Sequence, residues 1–171
     1  PNFTITNTPS YRSLFPGLTT TLSAVITTTS APRDYSWLRN GVPVAITPTY
    51  LVNIDRLGTY TLSITDLNGC TDFSKNSITI KDSVSGKCFI YPNPTSGQFE
   101  VRFHSSFNDI VPRSLIVFDA KGDRVYTKLY PIGRPYDRMP VDMRAYGKGL
   151  YWVEVVDVNG NRLTMCRVVI Q

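Results

Sequence analysis

Histidine is almost missing from this chain: of 171 residues only His104 is one. Nucleophilic catalysis needs a base beside a nucleophile, and strand alternation turns His104 toward solvent. No G-x-S-x-G elbow is present either, so no hydrolase or sortase centre is expected. Cysteine is scarce too. Cys70, Cys88 and Cys166 have no C-x-x-C spacing, which argues against a structural metal site. No apolar run approaches the about 20 residues of a membrane helix. The net charge of +5 is not gathered into a basic stripe with stacking aromatics, so nucleic acid is not an expected partner. Helical periodicity is absent throughout. Pro1 is followed by no charged-then-apolar leader, so the chain is expected to be a fragment or a processed product.

What is present is β-forming residues and punctuation. A hydrophobic content of 42% with 12% aromatics is enough for folded cores and argues against disorder. Thr, Val, Ile and Tyr fill alternating runs that Pro or Gly interrupts about every 8–12 residues. The composition changes midway: residues 1–82 hold 16 Thr and residues 83–171 hold 3. Between them Lys81-Asp-Ser-Val-Ser-Gly-Lys87 is small, polar and aperiodic, as a linker is. The expected organisation is two tandem β-sandwich domains, 1–82 and 88–171, joined by 83–87.

An internal repeat supports that division. Gly58-Thr-Tyr-Thr-Leu-Ser-Ile-Thr-Asp-Leu-Asn-Gly69 aligns with Gly149-Leu-Tyr-Trp-Val-Glu-Val-Val-Asp-Val-Asn-Gly160. Each reads G-x-Y, an alternating strand, then D-x-N-G, and Asn-Gly after a β run marks a hairpin. Strands are predicted near 2–6, 19–27, 34–39, 42–46, 49–54, 58–65 and 76–81. In the second half they are predicted near 88–91, 98–104, 114–119, 123–130, 137–143, 149–157 and 161–170. Along 98–104, alternation predicts Phe99, Val101 and Phe103 in the core and Glu100, Arg102 and His104 outside.

In the first half, Trp37 followed by Tyr60 resembles the order of an immunoglobulin-like domain, with a core Trp on one strand and a Tyr in a tyrosine-corner position. Leu62 stands where that family has a Cys, and Leu22 is its expected apolar partner on the facing sheet. A related bacterial Ig-like module pairs a cysteine placed like Cys70 with one whose position is taken here by Phe15. By that resemblance Cys70 is a free, partly buried thiol. The module itself reads as a spacer, since fold alone does not imply function, with sugar or protein binding through its loops as the other reading.

In the second half, Tyr91-Pro-Asn-Pro-Thr-Ser-Gly97 is a rigid lead-in to a strand. Its prolines fix φ, and Thr95 and Ser96 can bond to nearby backbone. There follow Ser114-Leu-Ile-Val-Phe-Asp-Ala-Lys-Gly-Asp-Arg-Val125, Val141-Asp-Met143, Tyr146-Gly-Lys-Gly-Leu-Tyr-Trp-Val153, Asp157-Val-Asn-Gly160 and Arg167-Val-Val-Ile-Gln171. This succession resembles the type A C-terminal sorting domain of type IX (Por) secretion cargo proteins. The resemblance implies an Ig-like or jelly-roll-type β-sandwich that acts as an address rather than an enzyme. Its implied partners are a translocon, an outer-membrane shuttle protein and a surface sortase. Its implied route runs through the periplasm and outer membrane to the cell surface or beyond, with sortase removal and then anchoring or release. Carried over by position, the address comprises Pro92, Asn93, Pro94, Gly97, Asp119, Gly122, Gly149, Tyr151, Gly160 and the closing Arg167, Val168, Val169, Ile170 and Gln171. Many members end in Lys or Arg, whereas this chain ends in Gln171. Cleavage is implied within Asp82, Ser83, Val84, Ser85, Gly86 and Lys87. Asp82-Ser83-Val84 also resembles an O-glycosylation string of the same bacteria, which makes Ser83 a candidate acceptor.

Other readings weigh less. The Asp-led turns at 66, 119 and 157 faintly suggest calcium, but hairpin geometry explains them. Cys88 opens the first strand of the second half and Cys166 lies in its last. A disulfide between them, worth about 4 kcal/mol in the chain-entropy model, is one expectation, and two small buried thiols are the other. Tyr130, Tyr136 and Trp152 are candidates for stacking on sugar, but core packing accounts for them more simply. No cofactor or metal is expected, and the chain is expected to be a monomer. The alternative function is a surface adhesin or carbohydrate-binding tandem that remains on the mature surface.

Overall fold

The structure is a computed structural model that describes residues 1–28, 30–105 and 111–171. It is built almost wholly of β-strands, and it divides into two compact units, Pro1–Ser83 and Val84–Gln171. Among the described residues no helix is long and apolar enough to cross a membrane.

The first unit contains β1 (Phe3–Thr8), β2 (Ser13–Leu14), β3 (Thr20–Ile26), β4 (Pro32–Arg39), β5 (Val42–Ala45), β6 (Thr49–Val52), β7 (Gly58–Asp66), β8 (Thr71–Phe73) and β9 (Ile78–Asp82). One sheet has the order β1-β3-β6; the other runs β2-β9-β7-β4-β5, with β8 beside β7. Their inner faces alternate as the sequence pattern requires: Phe3 and Ile5 on β1, and Tyr60, Leu62, Ile64 and Asp66 on β7, are buried. Trp37 lies opposite Leu62 in register, and Leu22 of the other sheet is equally buried. Apolar packing thus occupies the place of an inter-sheet disulfide. The Trp37 indole is satisfied by the Thr47 carbonyl at 2.9 Å.

Cys70 departs from expectation. It is a free thiol, but an exposed one, not a partly buried one. Its backbone is held on both sides by Asp66, whose N–H donates to the Cys70 carbonyl and whose carboxylate accepts from the Cys70 N–H. It therefore sits in a turn leading to a short strand, β8, whose three residues are all exposed.

The second unit contains β10 (Cys88–Tyr91), β11 (Gln98–Phe103), β12 (Val111–Phe118), β13 (Arg124–Ile132), β14 (Met139–Asp142), β15 (Gly149–Val156) and β16 (Arg162–Ile170). They form a β10-β11-β14 sheet and a β13-β12-β15-β16 sheet. Between them lies one core that includes Phe99, Val101, Leu115, Val117, Val153, Val155, Val168 and Ile170. The pairs from β11, β12, β15 and β16 each stand two positions apart, on one face of their strand.

The outer side of β11 corrects the reading of that strand. Arg102 and His104 are buried, while Phe103 is only half-buried. The reason is a covering segment that no alternation rule can foresee. Tyr136, itself fully buried and held at positive φ, packs edge-on against His104 at 5.1 Å and against Phe89 at 5.6 Å. The guanidinium of Arg102 is paired with Glu100 at 3.2 Å, and Arg138 reaches the same carboxylate at 3.7 Å. A buried charge is tolerable only when paired in this way.

Candidate functional site

The two Asp-led repeats fold into the same local device. Gly58 and Gly149 each open a strand, and the tyrosine two residues on turns its hydroxyl back to a carbonyl four positions upstream. Tyr60 donates to the Arg56 carbonyl, and Tyr151 donates to the Gly147 carbonyl at 2.6 Å. Burial pushes the Tyr60 phenol up to about 12.

At the far end of each repeat, the Asp carboxylate nucleates the return turn. Asp66 accepts from the N–H groups of Asn68 and Cys70, at 2.9 and 3.0 Å. Asp157 accepts from those of Asn159 and Asn161, both at 2.9 Å. Asp119 does the same with Lys121 and Asp123, both at 2.9 Å. The glycines that close these turns, Gly69, Gly122 and Gly160, all have positive φ. Hydrogen bonds from the backbone of Cys70 and of Asn161 hold the carboxyls of Asp66 and Asp157 below the usual carboxylate range. In each turn one carboxylate oxygen accepts from two backbone donors, which is the geometry of a hairpin turn.

The address motifs of the second unit, distant in sequence, meet at one corner. Asn93 is exposed, yet both ends of its amide engage β16: Nδ2 donates to the Arg167 carbonyl at 3.0 Å, and Oδ1 accepts from the Val169 N–H at 3.1 Å. Thr95 continues the ladder. Its N–H donates to the Val169 carbonyl and its carbonyl accepts from the Gln171 N–H, both at 2.9 Å. Thr95 and Ile170 form a parallel bridge. On the inner side of β16, Gly149 lies opposite Ile170, Tyr151 opposite Val168 and Trp152 opposite Arg167. The peptide bonds before Pro92 and Pro94 are both cis.

Gly97 closes that turn, and here only glycine fits. Its φ is +117, and a Cβ would lie 2.9 Å from the Arg144 Cα and 3.0 Å from its N. The Gly97 carbonyl takes the Met143 N–H at 2.7 Å, so the approach is fixed by a hydrogen bond. Thr95 Oγ1 bridges the turn, accepting from the Gly97 N–H at 3.1 Å and donating to the Gln98 carbonyl at 2.7 Å. Beside it, Arg144 grips Asp142 through Nε and NH2 at 2.9 and 2.6 Å, and this guanidinium lowers the Asp142 carboxyl to about 2.

The structure therefore brings together Pro92, Asn93, Pro94, Gly97, Gly149, Tyr151 and the stretch Arg167 to Gln171. Asp119 and Gly122 lie in the turn after Phe118, whose strand partner is Trp152, so they share that end of the sheet. Gly160 does not join them. It closes the turn at the other end of the β15–β16 hairpin. Two participants, Thr95 and Arg144, have no address role in the sequence reading. The hydroxyl of Thr95 two residues before Gly97 is a signal for the turn, whereas the closeness of Arg144 to Gly97 is visible only in three dimensions.

Cys88 and Cys166 are joined by a disulfide, with Cα atoms 5.9 Å apart. Asp82 ends β9, and the Ser83 N–H donates to the Leu14 carbonyl at 2.7 Å, so both belong to the first unit's sheet. The stretch from Val84 to Lys87 is outside any strand, and Val84 is 78% exposed. Of the three aromatic candidates for sugar stacking, Tyr130 and Tyr136 are buried, and Trp152 alone is open, at 39%.

Comparison with known proteins bears on the second unit directly. Residues 89–171 match the family model of the secretion system C-terminal sorting domain. No curated protein matches the chain. Among solved structures, the chain is similar to the fibronectin(III)-like modules of CbhA from Clostridium thermocellum, at 11% identity and a TM-score of 0.37, covering 98% of this chain and 94% of that one. It is similar to a two-domain fibronectin type-III segment of chicken tenascin, at 12% identity and a TM-score of 0.35, covering 100% and 99%. It is also similar to dimeric latent PorU from Porphyromonas gingivalis, at 14% identity and a TM-score of 0.39; the match covers 99% of this chain but spans only 20% of that one. The matched segment takes in every address residue placed above, and residues 89–171 belong to the C-terminal sorting domains of the type IX secretion system, tails that mark a protein for export to the cell surface or the extracellular space.

Proposed function

We propose that the corner formed by Asn93, Thr95, Gly97 and the end of β16 is the part of the sorting signal that the export machinery reads. The observation that carries this reading is the ladder from Asn93 and Thr95 to Arg167, Val169 and Gln171. It makes a single rigid surface out of two strings more than seventy residues apart. A folded domain with such a surface can be recognised as an object, independently of the cargo before it.

In this reading an outer-membrane shuttle protein and a surface sortase are the partners, and the chain acts as a monomer. The sortase removes the tail, and the cargo is then anchored or released. Accessibility favours cleavage within Val84, Ser85, Gly86 and Lys87 over Asp82 and Ser83, which the first unit's sheet holds. That placement also makes Ser83 a less accessible glycosylation acceptor than its motif suggests. The first unit, with its tyrosine corner and buried Trp37, serves as an Ig-like spacer ahead of the signal.

The test is transport. The chain 1–171 is fused behind an export signal and a fluorescent reporter, and expressed in hosts with and without a working type IX translocon. Reporter at the surface or in the medium of the competent host only, lacking the second unit, supports the reading. Reporter retained in the periplasm of both hosts refutes it.

A further inference from the structure

The lead-in to the address runs along the edge of β16 and is attached at successive points. The Thr164 hydroxyl donates to the Gly86 carbonyl at 3.3 Å, Cys88 is bonded to Cys166, and Asn93 and Thr95 follow with their ladder to Arg167, Val169 and Gln171. Cys166 directly precedes Arg167, the first residue that Asn93 holds. Yet β10, which carries Cys88, belongs to the opposite sheet, where its strand partner is β11. The disulfide is therefore the covalent tie between the first strand of the unit and its last. Beside it, the lead-in is held to β16, the outermost strand of its sheet, by the hydrogen bonds of Gly86, Asn93 and Thr95, of which only Thr95 is buried, and elements at a sheet edge open with smaller free energies than the core.

Resting on the sorting reading, we propose that a dithiol oxidation step precedes recognition: the address closes fully only after Cys88 and Cys166 have been oxidised. In that step the two thiols lose two protons and two electrons and form one S–S bond. A disulfide oxidant takes up the electrons and leaves as a dithiol. The chemistry is thiol–disulfide exchange, which proceeds in the bacterial periplasm and is disfavoured in the cytosol. The same sequence therefore carries a loosely held address before it crosses the inner membrane and a locked one afterwards. Both bonded cysteines lie in the second unit, so removal of the tail anywhere before Cys88 leaves no covalent link to the cargo. Cys70, the free and exposed thiol, takes no part.

Amide exchange on the chain 1–171 carrying Cys70→Ser tests this without any transport step. The probes are the N–H groups of Thr95, Val169 and Gln171, with those of the core residues Val117 and Val153 for comparison. Reduction with excess dithiol, or the Cys88→Ser/Cys166→Ser variant, is expected to speed exchange at the three edge amides at least about tenfold while the core amides change less than about twofold. Unchanged edge amides would show the bond to be incidental. Equal acceleration throughout the unit would show it to be a general stabiliser rather than a lock. Either result overturns the proposal.

The second arm measures surface delivery of the reporter fusion in the competent host. Delivery of the Cys88→Ser/Cys166→Ser variant is expected to fall at least about tenfold below that of the Cys70→Ser chain, with the reporter accumulating in the periplasm. Equal delivery of the two overturns the ordering of steps. Failure of the Cys70→Ser chain itself to reach the surface refutes the sorting reading and takes the ordering with it. The exchange result would still decide whether the bond locks the edge.

Discussion

Replacing Asn93 isolates the contribution of the ladder. Asn93→Ala removes the bond from Nδ2 to the Arg167 carbonyl and the bond from the Val169 N–H to Oδ1, at 3.0 and 3.1 Å. The side chain is exposed, so water replaces both partners and no buried group is orphaned. At a net value of about 0.5–1.5 kcal/mol for each bond, taken at the lower end for an exposed site, the loss is about 1–2 kcal/mol. For a domain of this size that lowers the urea midpoint by about 0.5–1 M. Asn93→Asp makes a sharper test. It keeps the acceptor for Val169 but turns a carboxylate oxygen toward the Arg167 carbonyl, so near neutral pH it should destabilise at least as much as alanine. Below the usual carboxylate pKa of about 4 the protonated acid can donate again, and part of the loss should return. The assay is urea unfolding followed through resonances of the second unit, with amide exchange of Val169 alongside. Wild-type stability and Val169 protection in Asn93→Ala would refute the claim that this side chain joins the two motifs.

Further outcomes follow from the same geometry. Tyr60→Phe and Tyr151→Phe each remove one hydroxyl-to-carbonyl bond of the same design, and each should cost its own unit about 1–2 kcal/mol in thermal unfolding. Gly122→Ala meets only the positive-φ penalty, since nothing lies within 4 Å of its Cβ, and should cost about 1–2 kcal/mol. Gly97→Ala must also displace the Arg144 backbone, so its melting temperature should fall well below that of Gly122→Ala. Asp142 titrates near 2 in the folded state, below its unfolded value of 3.8, so its stabilisation is fully present above about pH 4 and is lost as the pH falls toward 2. Asp142→Asn should flatten that limb of a plot of second-unit melting temperature against pH and leave the region above pH 5 unchanged in slope.

How much could be read in advance differs between elements. The β7 and β15 repeats were legible because G-x-Y, alternation and D-x-N-G are all local: each residue acts on a neighbour within a few positions. The β10 and β16 boundaries were legible for the same reason. The short strands β2 and β8 were not, because two or three residues carry no period and take their conformation from the strand beside them. The burial of Arg102 and His104 was hidden because alternation says which face a residue is on, but not whether that face is covered. The Gly133-to-Arg138 segment covers it, with Tyr136 as its plug.

The amino-acid order by itself determined the all-β character, the turn positions, the address strings and the need for glycine after Pro-Asn-Pro-Thr-Ser. Short-range sterics and hydrogen bonds act at those sites whatever the rest of the chain does. Only the tertiary structure decided that the Asn93 amide reads the edge of β16, that Cys88 faces Cys166, and that Gly97 lies against Arg144. Those contacts span from nearly fifty to nearly eighty positions of sequence. Their geometry follows from how two sheets close around a common core, and no local rule encodes that closure.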